Sequence, residues 1–305
     1  MHASEQDAKE SFLNHPATVS VIVVLLFYIF LLGSTLIADI TGGVILAVTG
    51  SDYASLGLFE LLAGQVLVTA IIFAGTSVLF FLVIPRLGYP EKVESLSDYL
   101  DTIRLSRVAP LKSYVFIGLV ITATIMVTAS VFTLVAGFWN YGDALKQILP
   151  PDSWSAITGV IPGFFEEVAF RGVIATGIAA KYGKQKAILG SAFIFGIAHV
   201  VNVFFGADPV ITTAQVGYAL FLGILFAYVF FETDSLVPVI IVHYFTAAVG
   251  QFFVYNIFQS QVAPLMKIIY MVTGLGIVPM ALGLGVMKIL GKIFYNYNRN
   301  TGQMG

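Results

Sequence analysis

The sequence WSAITGVIPGFFEEVAFRGVIATGIAA, residues 154–180, is long and apolar enough to cross a membrane, yet it carries Glu166, Glu167 and Arg171. A transmembrane helix needs about 20 predominantly apolar residues. An ionisable side chain near the bilayer centre costs at least about 2.5–3.5 kcal/mol on insertion scales. Three such side chains in one predicted span therefore indicate either a structural pairing between helices or a functional site.

The rest of the chain has the same apolar character. Of its 305 residues, 58% are hydrophobic and 10% are charged, and the mean hydropathy is +0.92. Too few charged residues are present to cover a soluble surface, so we expect an all-α polytopic membrane protein. The net charge of −2 argues against nucleic acid as a partner and leaves the lipid bilayer as the expected surroundings. The lack of cysteine excludes disulfides, thiolate metal ligands and a cysteine nucleophile.

Long uncharged or nearly uncharged runs predict eight transmembrane helices in one membrane-embedded domain, 1–305. The predicted spans are about 17–38, 60–84, 113–136, 154–180, 187–206, 210–231, 235–258 and 264–287. If both termini are cytoplasmic, most of the Lys and Arg residues fall on the cytoplasmic side, as the positive-inside rule requires. We therefore expect a multi-pass protein of the cell membrane in a prokaryote, or of the endoplasmic reticulum in a eukaryote.

Two further features of the chain bear on its organisation. Residues 85–112 form the one sizeable charged loop, and their apolar residues recur at helical spacing, which predicts a cytoplasmic amphipathic loop or helix. The core site region is expected over about 154–258. Within it, Pro162 and Gly163 should loosen the helix just before the two glutamates, as breaks that line a wet cavity often do.

The charged residues of the fourth span are expected to have different partners. Glu167 and Arg171 are four residues apart, so they share one helix face and can form an ion pair. Glu166 points about 100° away around an α-helix and lacks that partner. Glu166 is therefore free for another task.

Two histidines in later spans complete the candidate site. His199 follows Phe195 by one turn in the fifth span and precedes Asn202, and His243 lies in the seventh span. At 1.5 Å per residue, Glu167 and His199 both lie about 20 Å from the cytoplasmic helix ends. We therefore expect the carboxylates and imidazoles to meet around a shared, hydrated pocket, although the same residues could simply join helices.

These residues resemble the CAAX protease and bacteriocin-processing family, which includes the type II CAAX prenyl endopeptidases. The resemblance consists of three short motifs in order, over about residues 154–251. They are Glu-Glu-x-x-x-Arg at 166–171, Phe-x-x-x-His at 195–199, and the later His243. It implies an eight-helix intramembrane endopeptidase with a conical cavity that opens to the cytoplasm.

The resemblance also implies a role for each matched residue. Glu166 would be the general base, His199 would help to orient the attacking water, and His243 would help to form the oxyanion hole. The family often has Asn or Asp four residues after the last histidine, where this chain has Ala247. That departure puts one oxyanion donor in doubt and leaves a non-catalytic relative open.

The chemistry of the residues is compatible with this implication. A carboxylate and an imidazole can activate water for peptide hydrolysis without a cofactor. In that mechanism Glu167, Arg171, Phe195 and Asn202 would support the site. The expected substrate is a membrane-tethered, possibly prenylated CAAX protein, cleaved near its C-terminus.

Three alternatives remain open from the sequence. Zinc could be bound in an open catalytic site. Its ligands would be Glu166, Glu167, His199 and His243. The same side chains could relay protons in an ion-coupled transporter. A membrane scaffold or immunity factor could bind a peptide in the pocket without cleaving it.

Overall fold

The computed structural model of the chain describes residues 15–50, 58–90, 92–137 and 159–301, and these residues are largely helical. The helices, numbered in chain order, are α1 (Pro16–Thr49), α2 (58–86), α3 (Leu96–Thr102), α4 (Leu111–Val135), α5 (162–182), α6 (184–205), α7 (Pro209–Thr233), α8 (Val237–Gln259) and α9 (264–301). The described residues contain no β-strand. The predicted all-α class is confirmed.

Each of the eight predicted spans overlaps a helix, although residues 154–158 of the fourth span lie outside the described residues, and α3 is an additional short helix. Among the described residues, six helices are long and apolar enough to cross a membrane, as judged by length and composition. They are Pro16–Val48, Ala63–Arg86, Leu111–Val135, Lys184–Phe205, Pro209–Thr233 and Pro264–Lys292. The chain is therefore a polytopic membrane protein, and the count of eight remains a prediction for α5 and α8.

Two boundaries differ from the sequence prediction. Helix α1 continues to Thr49, past the predicted end at residue 38, because the helix accommodates Asp39 and the residues that follow it are uncharged. Helix α9 continues to residue 301, past the predicted end at residue 287, whereas α8, Val237–Gln259, agrees with the predicted 235–258.

Three helices contain π-helical segments, in which the backbone is wider than in an α-helix. They are Leu79–Val83 in α2, Pro162–Glu166 and Val168–Ala175 in α5, and Val272–Ile277 in α9. Such segments are rare, and they occur frequently at functional sites. The predicted irregularity at Pro162 is therefore present as a widened helix.

Helix α5 lies at the centre of the bundle. Every residue from Glu167 to Ala175 is buried, so this part of the helix has no face toward lipid or water. It packs against α1, α6, α7 and α8, and its Phe165 stacks on Phe80 of α2 at 5.9 Å between ring centroids. The charged residues of α5 are thus placed inside protein, where they need protein partners.

The charged segment predicted over 85–112 contains the seven-residue helix α3. The Ser95 hydroxyl caps its first turn by accepting a hydrogen bond from the Asp98 backbone N–H at 3.2 Å. Tyr99 and Ile103 are buried, whereas Leu96 is exposed. The apolar side of this segment therefore packs into the protein.

The segment is bound to the turn between α7 and α8 by charged and backbone groups. Both Arg104 and Arg107 form ion pairs with Asp234. The Ser235 hydroxyl donates to the Arg107 carbonyl at 2.5 Å. Hydrogen bonds from Arg107 also lower the pKa of the Asp101 carboxyl below its ordinary value. The segment is therefore docked directly before the helix that carries His243.

We expect Asp234→Asn to loosen this docked segment without unfolding the bundle. Exposed ion pairs contribute only about 0.2–1 kcal/mol each, so the melting temperature should change little. Hydrogen–deuterium exchange of residues 96–107 should become faster. The matched control is Glu232→Gln, which removes the nearby ion pair with Lys184 instead. Equal exchange in the two variants would contradict the docking role of Asp234.

Candidate active site

Glu167 and Arg171 form the predicted ion pair within α5. Arg171 Nη1 lies 2.8 Å from Glu167 Oε1, and both side chains are completely buried. The guanidinium lies over the rings of Phe195 and Phe226, at 4.4 and 5.2 Å from their centroids. Its Nη2 also donates to the Gly223 carbonyl at 3.4 Å. The arginine therefore links α5 to α6 and α7, and loss of one partner of such a buried pair typically costs about 3–5 kcal/mol.

His243 binds the same carboxylate oxygen. Its Nδ1 lies 2.6 Å from Glu167 Oε1, and because an ionised carboxylate only accepts, Nδ1 carries the proton and donates it. The other ring nitrogen, Nε2, lies 3.8 Å from Glu166 Oε2. The sequence predicted that these residues share a site, but it did not predict that Glu167 orients the histidine.

Glu166 is the more accessible of the two glutamates. Its side chain is 20% exposed, whereas that of Glu167 is 0% exposed. Its Oε2 atom is buried and, like Oε2 of Glu167, has no hydrogen-bond partner among the described residues. The separation of 3.8 Å from His243 Nε2 is too long for a hydrogen bond. Glu166 is therefore the carboxylate that can bind a further molecule.

His199 lies where α6 changes from an α-helix into a 3₁₀-helix. Its Nδ1 lies 2.8 Å from the Phe195 carbonyl, and because a carbonyl only accepts, this nitrogen is protonated and Nε2 is free. The imidazole is half-buried, and its ring and that of His243 both contact the ring of Phe195. The structure thus brings the two predicted histidines to one aromatic side chain.

Phe195 lines the site with an apolar aromatic ring. Its ring meets the imidazole of His199 edge to face at 4.8 Å and that of His243 at 5.8 Å between centroids. The same ring lies under the Arg171 guanidinium. Phe195 therefore contacts three polar members of the site, and its supporting role stays a prediction.

Asn202 is directed to a different partner. Its Nδ2 donates to Oε1 of Gln215 in α7 at 2.9 Å. Thr246, one turn from His243, donates to the His243 carbonyl at 2.9 Å. Ala247 offers no polar side chain. The polar groups next to the histidines are thus used to join backbone and helices.

The zinc alternative remains a prediction, and two observations on the described side chains bear on it. Over 15–50, 58–90, 92–137 and 159–301, no three His, Cys, Asp or Glu side chains are grouped so that they could hold a metal ion. Glu167 is instead bonded to the Arg171 guanidinium, a cation that disfavours a second cation nearby.

Gly163 permits the close contact that brings α5 and α8 together. A Cβ added at this glycine would lie 2.8 Å from Cα of Tyr244, the residue after His243. The sequence analysis connected Pro162 and Gly163 only with a loosened helix. Their second effect is a close approach between the backbones that carry Glu166 and His243.

Three residues near the site were not predicted. They are Tyr28, Gln215 and Phe226. An amide side chain inside the apolar run 210–231 was the available signal for Gln215. No sequence signal distinguished Tyr28 or Phe226 from the many other aromatic residues.

One cavity among the described residues lies away from this site. It has a volume of about 1070 Å³ and is bordered by parts of α1, α2 and α5 together with residues 87–90 and 92–96. It contains none of the predicted site residues in its lining. The conical cavity implied by the family resemblance therefore remains a prediction.

The helices and the buried glutamate–arginine–histidine network define a polytopic membrane protein with a polar centre. Residues 151–249 match the family model described as "Type II CAAX prenyl endopeptidase Rce1-like". The match covers about a third of the chain and includes both glutamates and both histidines of the site. The resemblance predicted from the motifs is thus confirmed for this segment. No curated protein and no solved structure matches the chain significantly.

We expect Gly163→Ala to destabilise the protein by about 1–3 kcal/mol, because the new methyl group must displace the α8 backbone. The matched control is Gly33→Ala in α1, where an added Cβ meets nothing within 4 Å. Thermal unfolding of both variants in the same detergent measures the difference. A melting temperature of Gly163→Ala equal to that of the control would contradict the close contact.

Proposed function

We propose that this protein is an intramembrane endopeptidase that cleaves a membrane-tethered protein near its C-terminus. A prenylated CAAX-type C-terminus is the first substrate to test. The observation that carries the proposal is Glu166, a carboxylate that is 20% exposed and lies 3.8 Å from Nε2 of His243, whose ring contacts Phe195 as the ring of His199 does. The family match over residues 151–249 supports the reaction class.

In the proposed reaction, Glu166 removes a proton from a water molecule as that water attacks the scissile carbonyl carbon. His199 Nε2 accepts the second hydrogen of the same water and orients it. Glu166 then returns its proton to the leaving amine, so the carboxylate is regenerated. The partial exposure of Glu166 suits this role, since the carboxylate must exchange protons with a bound water.

His243 would stabilise the oxyanion that forms during this attack. Its Nδ1–H is held by Glu167, so a donor at Nε2 requires a ring that carries both protons. The 3.8 Å gap to Glu166 leaves Nε2 free to face the substrate. Glu167 and Arg171 would act by orienting this imidazole and by keeping the local charge balanced.

A non-catalytic scaffold is the second candidate, and one observation favours it. Asn202 and Thr246 are bonded elsewhere and position 247 is alanine, so none of these side chains offers a second oxyanion donor.

The ion-coupled transporter has less support. Among the described residues, Glu167 and Arg171 are the buried charged side chains apart from histidine, and both belong to one site.

The cleavage assay uses purified protein in lipid vesicles with a quenched prenyl-peptide substrate. We expect Glu166→Gln to lower kcat by about 10²–10⁴, the usual contribution of general acid–base catalysis. We expect His243→Gln to lower kcat by about 10²–10³, as loss of an oxyanion donor typically does. Glu232→Gln, a glutamate exchange outside the site, is the matched control and should retain activity.

The outcomes separate the candidates. Cleavage by Glu166→Gln at the wild-type rate would remove the assigned base. If the wild type cleaves no prenylated or unprenylated peptide while it still binds one, the scaffold is the better description.

The metal-free mechanism predicts that chelation leaves activity intact. Incubation with 1,10-phenanthroline, followed by removal of the chelator, should change kcat less than about twofold, because Glu166 rather than a metal activates the water. The non-chelating 1,7-phenanthroline serves as the control. Complete loss of activity that added zinc restores would show that the zinc alternative is correct.

A further inference from the structure

Tyr28 of α1 reaches the candidate site from outside the segment that matches the family model. Its hydroxyl donates to the backbone carbonyl of Ala198 at 2.9 Å, across 170 positions of the sequence. Measured along each helix at 1.5 Å per residue, Tyr28 lies about 18 Å from Pro16, and His199 lies about 22 Å from Lys184. The two residues are therefore at similar depth in neighbouring helices.

The bonded carbonyl belongs to a structurally special residue. Ala198 ends the α-helical part of α6, and His199 begins the 3₁₀ part. Where an α-helix changes into a 3₁₀-helix, its last carbonyls accept tighter i→i+3 bonds or side-chain donors. Tyr28 supplies a side-chain donor to the Ala198 carbonyl, and His199 itself supplies one to the Phe195 carbonyl. Two side-chain hydrogen bonds thus hold the turn that presents the imidazole.

The tyrosine is itself held in place by its neighbours. Its ring packs against Phe27 at 5.6 Å between centroids, and Phe27 is buried against Phe80 at 5.8 Å. Tyr28 is therefore held by neighbours in α1 and α2 while its hydroxyl bonds to the residue before His199.

We propose that Tyr28 is a positioning residue for His199. Its hydrogen bond to Ala198 fixes the junction between the α-helical and 3₁₀ parts of α6 and thereby fixes the direction of His199 Nε2. The effect on the junction follows from the contacts alone. The effect on catalysis rests on the proposed endopeptidase function, so the two are measured separately.

The first measurement compares hydrogen–deuterium exchange in Tyr28→Phe and Tyr114→Phe. Each variant loses one phenol hydroxyl from a predicted span, but Tyr114 lies in α4, away from the junction. We expect exchange of residues 199–205 to rise about three- to tenfold in Tyr28→Phe alone, as loss of one hydrogen bond implies. Unchanged exchange there would overturn the proposal. A rise throughout the bundle would also overturn it, because Tyr28 would then be a general stabiliser.

The second measurement is the kinetics of the same variants with the cleaved peptide. We expect Tyr28→Phe to lower kcat about three- to tenfold and to leave KM within about twofold, because a misdirected imidazole affects the reacting water more than substrate binding. Wild-type kcat in a variant with faster exchange would overturn the positioning role. Failure of the wild type to cleave would count against the proposed function, and the exchange experiment would still decide the role of Tyr28 at the junction.

Discussion

A single buried oxygen, Oε1 of Glu167, connects the main parts of this protein. It accepts hydrogen bonds from Arg171 and from His243, at 2.8 and 2.6 Å. An ionised carboxylate without partners could not remain in this surrounding, since burial of an unpaired charge is prohibitively costly. The two donors meet this requirement and, in doing so, they tie α5 to α8 directly and to α6 and α7 through the arginine. The hydrogen bonds that connect these helices thus also set the orientation of the His243 imidazole.

The different roles proposed for Glu166 and Glu167 follow from these hydrogen bonds. Oε1 of Glu167 accepts both hydrogen bonds inside the bundle, whereas Glu166 lies at the edge of the network with 20% of its side chain exposed. The widened backbone of α5 and the missing side chain at Gly163 allow α8 to come close enough for both carboxylates to face His243. The two adjacent glutamates therefore have different surroundings. Those of Glu167 suit a supporting role, and those of Glu166 suit a catalytic role.

The sequence predicted those features that depend on local spacing and composition. The all-α class follows from apolar run length, and the Glu167–Arg171 pair follows from a separation of four residues. The bond between Glu167 and His243 could not be predicted, because it depends on how α8 packs against α5 and on π-helical turns that depart from the 3.6-residue period. The contact between Tyr28 and Ala198 spans 170 positions and has no sequence signature. The roles of Glu166, His199 and His243 in catalysis remain predictions.

The hydrogen bond from α1 to Ala198 bears on how the molecule can be dissected. The family match runs over residues 151–249, which invites the excision of that stretch as a minimal unit. A fragment of this kind would keep both glutamates and both histidines, yet it would lack the phenol that satisfies the carbonyl before His199. It would also expose the aromatic surface of α5 that Phe80 now covers. Shortened versions of this chain should therefore retain the N-terminal hairpin of α1 and α2.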